Sequence, residues 1–197
     1  MSWSSRALFV LLAAATMAEP RVARADSVLD PTGNTPESRN YGNLRVGATS
    51  SDRNGHPSLC MELAPLSFFS VEGCGTGSGF LHDSESSELA HFRGKVRLAN
   101  LRTERGYLQP QLSLGFAELQ VAKDEPGFDF NGTGRNGAET AGAEAGASLR
   151  LLAPLSGGVD FVGELSAGAA YLPHAPDLAR PMDVWQLSVG MTAGIGF

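Results

Sequence analysis

Hydrophobic and polar positions alternate one for one through much of this chain. From Trp185 to Phe197 the odd positions are Trp185, Leu187, Val189, Met191, Ala193, Ile195 and Phe197, and the even ones are Gln186, Ser188, Gly190, Thr192, Gly194 and Gly196. Strand side chains point alternately to opposite faces, so this pattern predicts a strand with one apolar face and one small or polar face. Val159–Leu172 repeats it, with Val159, Phe161, Leu165, Ala167, Ala169 and Tyr171 on one side and Asp160, Glu164, Ser166 and Gly168 on the other. Ala138–Leu152 sets six alternating alanines and leucines, Ala141 to Leu151, against Glu144, Ser148, Arg150 and interleaved glycines. Alanine favours helix, but Gly142, Gly146 and the unbroken period of two favour strand. Tyr107–Val121 and Phe92–Leu98 add two more. The shorter runs at Leu44–Thr49, Leu59–Leu63 and Phe69–Cys74 bring the count to eight.

Pro110 interrupts one of these patterns, and a closed sheet has no edge on which to hide its missing donor; a place near the strand's start makes it tolerable. The connections alternate in length. Ala64-Pro65-Leu66, Asn100–Gly106 and Ala153–Gly158 are short, and Leu-Ala-Pro-Leu-Ser occurs twice at short turns, at 63–67 and 152–156. Ser50–His56, Leu81–His91, Ala122–Gly137 and Pro173–Asp183 are longer and polar. An even strand count with both chain ends on the short-turn side predicts an up-and-down antiparallel barrel.

Which face is inside follows from the charges. By parity Arg45, Arg93, Lys95, Arg97, Arg150, Glu62, Glu72, Glu144, Asp160 and Glu164 share the face opposite the large apolar side chains. An apolar strand as long as the last one would invite aggregation in water. Facing lipid, with the ionised groups turned into a lumen, it meets what a bilayer requires. Phe161 to Tyr171 is ten residue steps, about 33 Å of strand, which at a tilt of ~45° rises roughly 23 Å, close to the ~25 Å apolar band of such barrels. Phe92, Phe161, Tyr171, Trp185 and Phe197 are expected to form aromatic girdles at its two edges. An eight-stranded barrel is just wide enough to be filled by side chains, so ion pairs of this network are expected to plug it.

The start of the chain reads as a secretory signal, with Arg6, an apolar run from Ala7 to Ala18 and the small-x-small sequence Ala23-Arg24-Ala25 before Asp26. The apolar run is too short for a helix spanning ~30 Å. The expected organisation is a cleaved signal at 1–25, a flexible periplasmic lead-in at 26–40 and a barrel domain at 41–197. Removing 1–25, with its three arginines and one glutamate, takes the formal charge from −6 to −8, which argues against nucleic acid as a partner. Cys60 and Cys74 are the only cysteines; in an exported protein they are expected to pair, and the parity rule puts both on the inner face.

Catalytic and metal motifs are weak. His56, His82, His91 and His174 fall in or beside the long loops, where solvation accounts for them. Asp124, Glu125, Asp129 and Asn131 loosely suggest an oxygen-ligand loop for calcium but lack the spacing and closing glutamate of an EF-hand. There is no nucleophile elbow and no phosphate loop; His82-Asp83-Ser84 is the one pair that a lipid-modifying barrel enzyme could use. No cofactor or metal is expected.

The signal, the eight amphipathic strands and the final Phe197 resemble the small outer-membrane β-barrel proteins (the OmpA transmembrane domain, OmpX and OmpW superfamily). The resemblance implies an all-β, eight-stranded transmembrane barrel, integral in a bacterial outer membrane with both termini periplasmic. It also implies that Trp185, Leu187, Val189, Met191, Ala193, Ile195 and Phe197 form the signal read by barrel-assembly machinery. Outer-membrane lipid is the expected surrounding, and loops 81–91, 122–137 and 173–183 are the expected contact points for an extracellular ligand. The expected role is structural or surface-interacting and non-enzymatic. A narrow porin-like solute path, a lipid-modifying enzyme and a secreted soluble β-sandwich are the alternatives.

Overall fold

A computed structural model describes residues 25–26 (backbone), 41–51, 55–77, 87–122 and 128–197. The expected signal at 1–25 and lead-in at 26–40 lie outside these residues, apart from Ala25–Asp26. Eight strands carry the fold: β1 Gly42–Thr49, β2 Ser58–Leu63, β3 Phe69–Gly75, β4 Glu88–Arg97, β5 Gly106–Gln120, β6 Glu139–Pro154, β7 Asp160–Tyr171 and β8 Trp185–Gly196. Each pairs antiparallel with its sequence neighbour, and β8 pairs with β1, so the sheet closes on itself. The chain is thus an eight-stranded antiparallel barrel. That closure corrects the sandwich alternative, which needs two separate sheets.

The closing seam follows from composition. The register from Gly190↔Thr49 to Gly196↔Asn43 places the small inner-face residues Gly190, Thr192, Gly194 and Gly196 of β8 against β1. A Cβ added to Gly47 would lie 1.9 Å from the Met191 carbonyl oxygen, so only glycine permits this approach.

Two boundaries differ from expectation. The stretch Asn100–Thr103 is not a turn; it is a short strand pairing Leu101 with Leu108 and Thr103 with Gly106, and only Glu104 and Arg105 turn. Ala25–Asp26 adds two further antiparallel pairs to its outer edge. Strand β4 begins at Glu88, four residues before the predicted start, which takes His91 out of the loop and into the wall. Pro110 is accommodated because the β4–β5 ladder ends at Arg97↔Gln111; the Pro110 carbonyl still accepts the Leu98 amide, and the missing donor falls just past the pairing.

The burial pattern inverts that of a water-soluble core. Among the described residues the largest fully buried side chains include Arg45, Lys95, Gln109 and Glu62, while Leu187 is 75% and Leu114 72% exposed. On β8 every odd position from Trp185 to Ile195 is exposed and every even one is half-buried or buried.

The lumen is layered. At the end carrying the short turns, Tyr107, Leu152 and Val162 pack together. Charges fill the middle. At the long-loop end the faces exchange character: Leu89, Ala117, Leu119, Val121, Ala170 and Leu172 point inward, and Ala175, Leu178 and Met182 of the last loop close over them. That loop is tied down by hydrogen bonds from Leu172 N to Val184 O (2.8 Å), Met182 N to Ala175 O (3.0 Å) and Ala179 N to Gly137 O (2.8 Å).

Candidate functional site: the lumenal charge network

Each charge reaches the lumen because period-two alternation on its own strand aims it there, and cross-strand register then sets the partners. Glu62 stands opposite Glu72, Glu72 opposite Arg93, and Arg150 opposite Glu164. Two acidic side chains side by side on β2 and β3 must be neutralised from elsewhere in the ring. Arg45 of β1 does so, with Nη2 3.1 Å from Glu62 Oε2 and bonded to Glu72, and with Nη1 2.7 Å from Glu164 Oε2. Its Nε also donates to Asn43 Oδ1 at 2.7 Å. Lys95 Nζ sits 2.8 Å from Glu72 and bonds Glu164. Arg150 Nη2 is 2.7 Å from Glu164 and also bonds Glu62 on the facing wall. The Arg45–Glu164, Lys95–Glu164 and Arg150–Glu62 pairs cross the lumen, so they join walls that no backbone ladder joins.

A second group lies toward the long loops. Arg93 bridges Glu72 (3.2 Å) and Glu144 (3.7 Å), and His91 Nδ1 is 2.9 Å from Glu144 Oε1. Neither Glu144 oxygen has an aligned hydrogen bond, so these contacts are charge proximity rather than directed bonding. His91 belongs to this network although it reads as a loop residue in the sequence. Extending the period of two backward from Arg93 is the signal that finds it.

Of the ten charges assigned to the lumen, eight form this cluster. Arg97 is half-buried at the short-turn mouth and donates to the Ser67 carbonyl. Asp160 is half-buried at the start of β7, opposite Pro154 and Gly196. Both share the inner face but sit at the rim instead of inside the cluster. Cys60 and Cys74 face each other across β2 and β3, buried and disulfide-bonded.

The outer wall carries the aromatics. Tyr171 and Trp185 pack with ring centroids 5.0 Å apart. Phe92 stacks on Phe116 at 5.5 Å, and Phe128 and Phe130 from the loop join them edge-on at 5.0 and 5.3 Å. Phe161 and Phe197 lie near the opposite end, where the Phe197 carbonyl accepts the Tyr41 and Gly42 amides. Phe116, Phe128 and Phe130 were not part of the predicted girdle.

Chemically the cluster is a neutral, filled ion-pair lattice. Four cations meet four carboxylates, with His91 beside them. Carboxylate oxygens of Glu62, Glu72 and Glu164 lie within 4.8 Å of one another, a spacing that could hold a metal ion. Arg45, Lys95 and Arg150 already occupy that space, so the fit favours cationic side chains over a metal. Two lumenal cavities, about 30 Å³ beside Glu62 and Arg150 and about 20 Å³ beside Glu72 and His91, are each the size of roughly one water.

Among the described residues the loop candidates do not assemble into a site. Asp129 accepts the Asn131 amide (3.0 Å) and the Gly134 amide (3.2 Å), so its carboxylate shapes the loop. Asp124 and Glu125 lie outside the described residues, as do His82 and Ser84. His56 approaches Glu88 at 3.5 Å and His174 approaches Asp177 at 3.4 Å. No protein-family model, curated protein or solved structure matches this chain.

Proposed function

We propose that this chain is a non-enzymatic integral barrel of a bacterial outer membrane, of the OmpA, OmpX and OmpW kind. In this reading the exposed apolar wall is solvated by lipid and both termini are periplasmic. The long loops form a polar cap available to an extracellular ligand, and the strand Trp185–Phe197 is the element that assembly machinery reads. The observation that carries it is the inverted burial: an interior of paired ions inside a wall of exposed Leu, Val, Met and aromatics. A closed barrel whose outer face is this apolar is costly in water and favourable in hydrocarbon.

The role that fits is structural and surface-presenting. Supporting it over a solute path are the water-sized cavities and the apolar layers above and below the charges. Reconstituted protein is expected to give no steady conductance across a planar bilayer, and stable single-channel steps would return the argument to a pore. The direct test is fractionation of expressing cells followed by electrophoresis with and without boiling. The expected result is an outer-membrane protein with a heat-modifiable band. Protein recovered in the aqueous fraction without detergent would overturn the reading.

A further inference from the structure

The disulfide is buried on the lumenal face of the wall. Cys60 and Cys74 are 3% and 7% exposed, both on the lumenal face. The cavity beside them, about 20 Å³ and lined by Glu72, His91, Arg93 and Ser188 among others, holds about one water. Thiol–disulfide exchange requires a thiolate to reach a sulfur directly. In the closed barrel this burial opposes direct attack on either sulfur.

The same register has a second consequence. Pairing Cys60 with Cys74 places Glu62 directly against Glu72, and like charges directly opposite on neighbouring strands destabilise the pair. The cations that neutralise them, Arg45, Lys95 and Arg150, come from β1, β4 and β6. Arg45 and Lys95 are in place only once β1 and β4 have paired on either side of the hairpin, and Arg150 only once the ring is assembled. Until then β2 and β3 are a hairpin of six and seven residues, too small to be stable alone and repelling itself one pair from its turn end.

We propose that the disulfide is installed on the open β2–β3 hairpin before the barrel closes, by a soluble disulfide-bearing oxidant, and that it holds the acid-against-acid register until the cations arrive. One cysteine thiolate attacks the donor's disulfide to give a mixed disulfide; the second displaces the donor's sulfur. The donor leaves as a dithiol with the two electrons, and the two thiol protons pass to it or to water. This inference rests on the closed barrel and holds whatever solvent surrounds it.

The test begins with oxidised wild-type protein folded in detergent, treated with a phosphine reductant and then a maleimide-polyethylene glycol. The expected result is no gel shift, against two adducts when the reductant is applied in guanidinium. Labelling of the folded barrel as fast as of the unfolded chain overturns the proposal. The second arm compares refolding of oxidised wild type with Cys60→Ser/Cys74→Ser. The variant is expected to refold about two- to fivefold more slowly at low salt, the size of one opposed like-charge pair. It is expected to catch up near 1 M salt, where the screening length is ~3 Å. An equal salt response in both proteins removes the register role. The labelling arm uses only wild type, so it decides the order of events even where the variant does not fold.

Discussion

Glu164→Gln is expected to lower the unfolding free energy by about 3–5 kcal/mol, the usual cost of removing one partner from a buried ion pair. Glu164 takes Arg45 at 2.7 Å, Arg150 at 2.7 Å and the Lys95 ammonium, and among the described residues it is the only carboxylate that touches all three at bonding distance. Glutamine keeps the shape and one acceptor but withdraws the negative charge and presents amide hydrogens to guanidinium groups. The interior then holds four cations against three carboxylates, and the excess charge is far from water. Equilibrium unfolding in urea, read by the fluorescence of Trp185, measures the loss; the other tryptophan, Trp3, belongs to the expected signal. Adding Arg150→Met to Glu164→Gln restores charge balance. The double variant is therefore expected to lose less than the two single losses combined, by about 0.5–3 kcal/mol of coupling. Strict additivity, or a Glu164→Gln loss below about 1 kcal/mol, would mean that solvent screens the cluster as it does a surface pair.

Why these pairs matter follows from the sequence of the two acidic strands. Glu62 and Glu72 bring no cation of their own, and the ladders of β2 and β3 would hold without them. Their charges are satisfied from β1, β4 and β6: Arg93 meets Glu72 within the β3–β4 ladder, whereas Arg150 reaches Glu62 only across the closed ring, so the network rewards closure as well as hairpin pairing. Loss of a member should therefore appear as loss of cooperativity between opposite walls, beyond the local ladder.

The parts of this fold that were legible in the sequence are those where one solvent faces each side of a strand for its whole length. Trp185–Phe197 and Phe161–Tyr171 alternate without a slip because one face is the exposed outer wall and the other meets the charges. The inner charges and the inward placement of the two cysteines came from the same parity. Reading failed where the two faces exchange character. Above Phe92 and Phe116, Leu89, Leu119 and Val121 point inward and Glu118 and Gln120 lie on the outer face, so the alternation persists with its polarity reversed. A rule that locates strands by an apolar outer face ends β4 there and leaves His91 in a loop. The loop-end plug was hidden for a different reason. Pro173–Asp183 has no period, and the inward placement of Ala175, Leu178 and Met182 depends on Leu172 below and Gly137 beside them. Phe128 and Phe130 likewise join Phe92 and Phe116 only through the fold of their loop.

Val189→Arg distinguishes lipid from water as the outer solvent more sharply than any inner substitution. Val189 is 63% exposed on the outer face of β8, four residues from Trp185 and six from Ile195. In a bilayer that position is near the middle of the apolar belt, where an arginine on the lipid face of a barrel costs about 2–4 kcal/mol. In water the same change at an exposed site without special contacts stays within about 0.5 kcal/mol. Leu66→Arg serves as the depth control, since Leu66 is 50% exposed in the turn between β2 and β3. At an interface the cost falls to about 0–1 kcal/mol. Unfolding measured in phospholipid vesicles is expected to separate the two variants by more than 1 kcal/mol, with Val189→Arg the weaker. Two variants of equal, near wild-type stability would mean that β8 does not cross hydrocarbon, and the apolar wall would then need a protein partner rather than lipid to cover it.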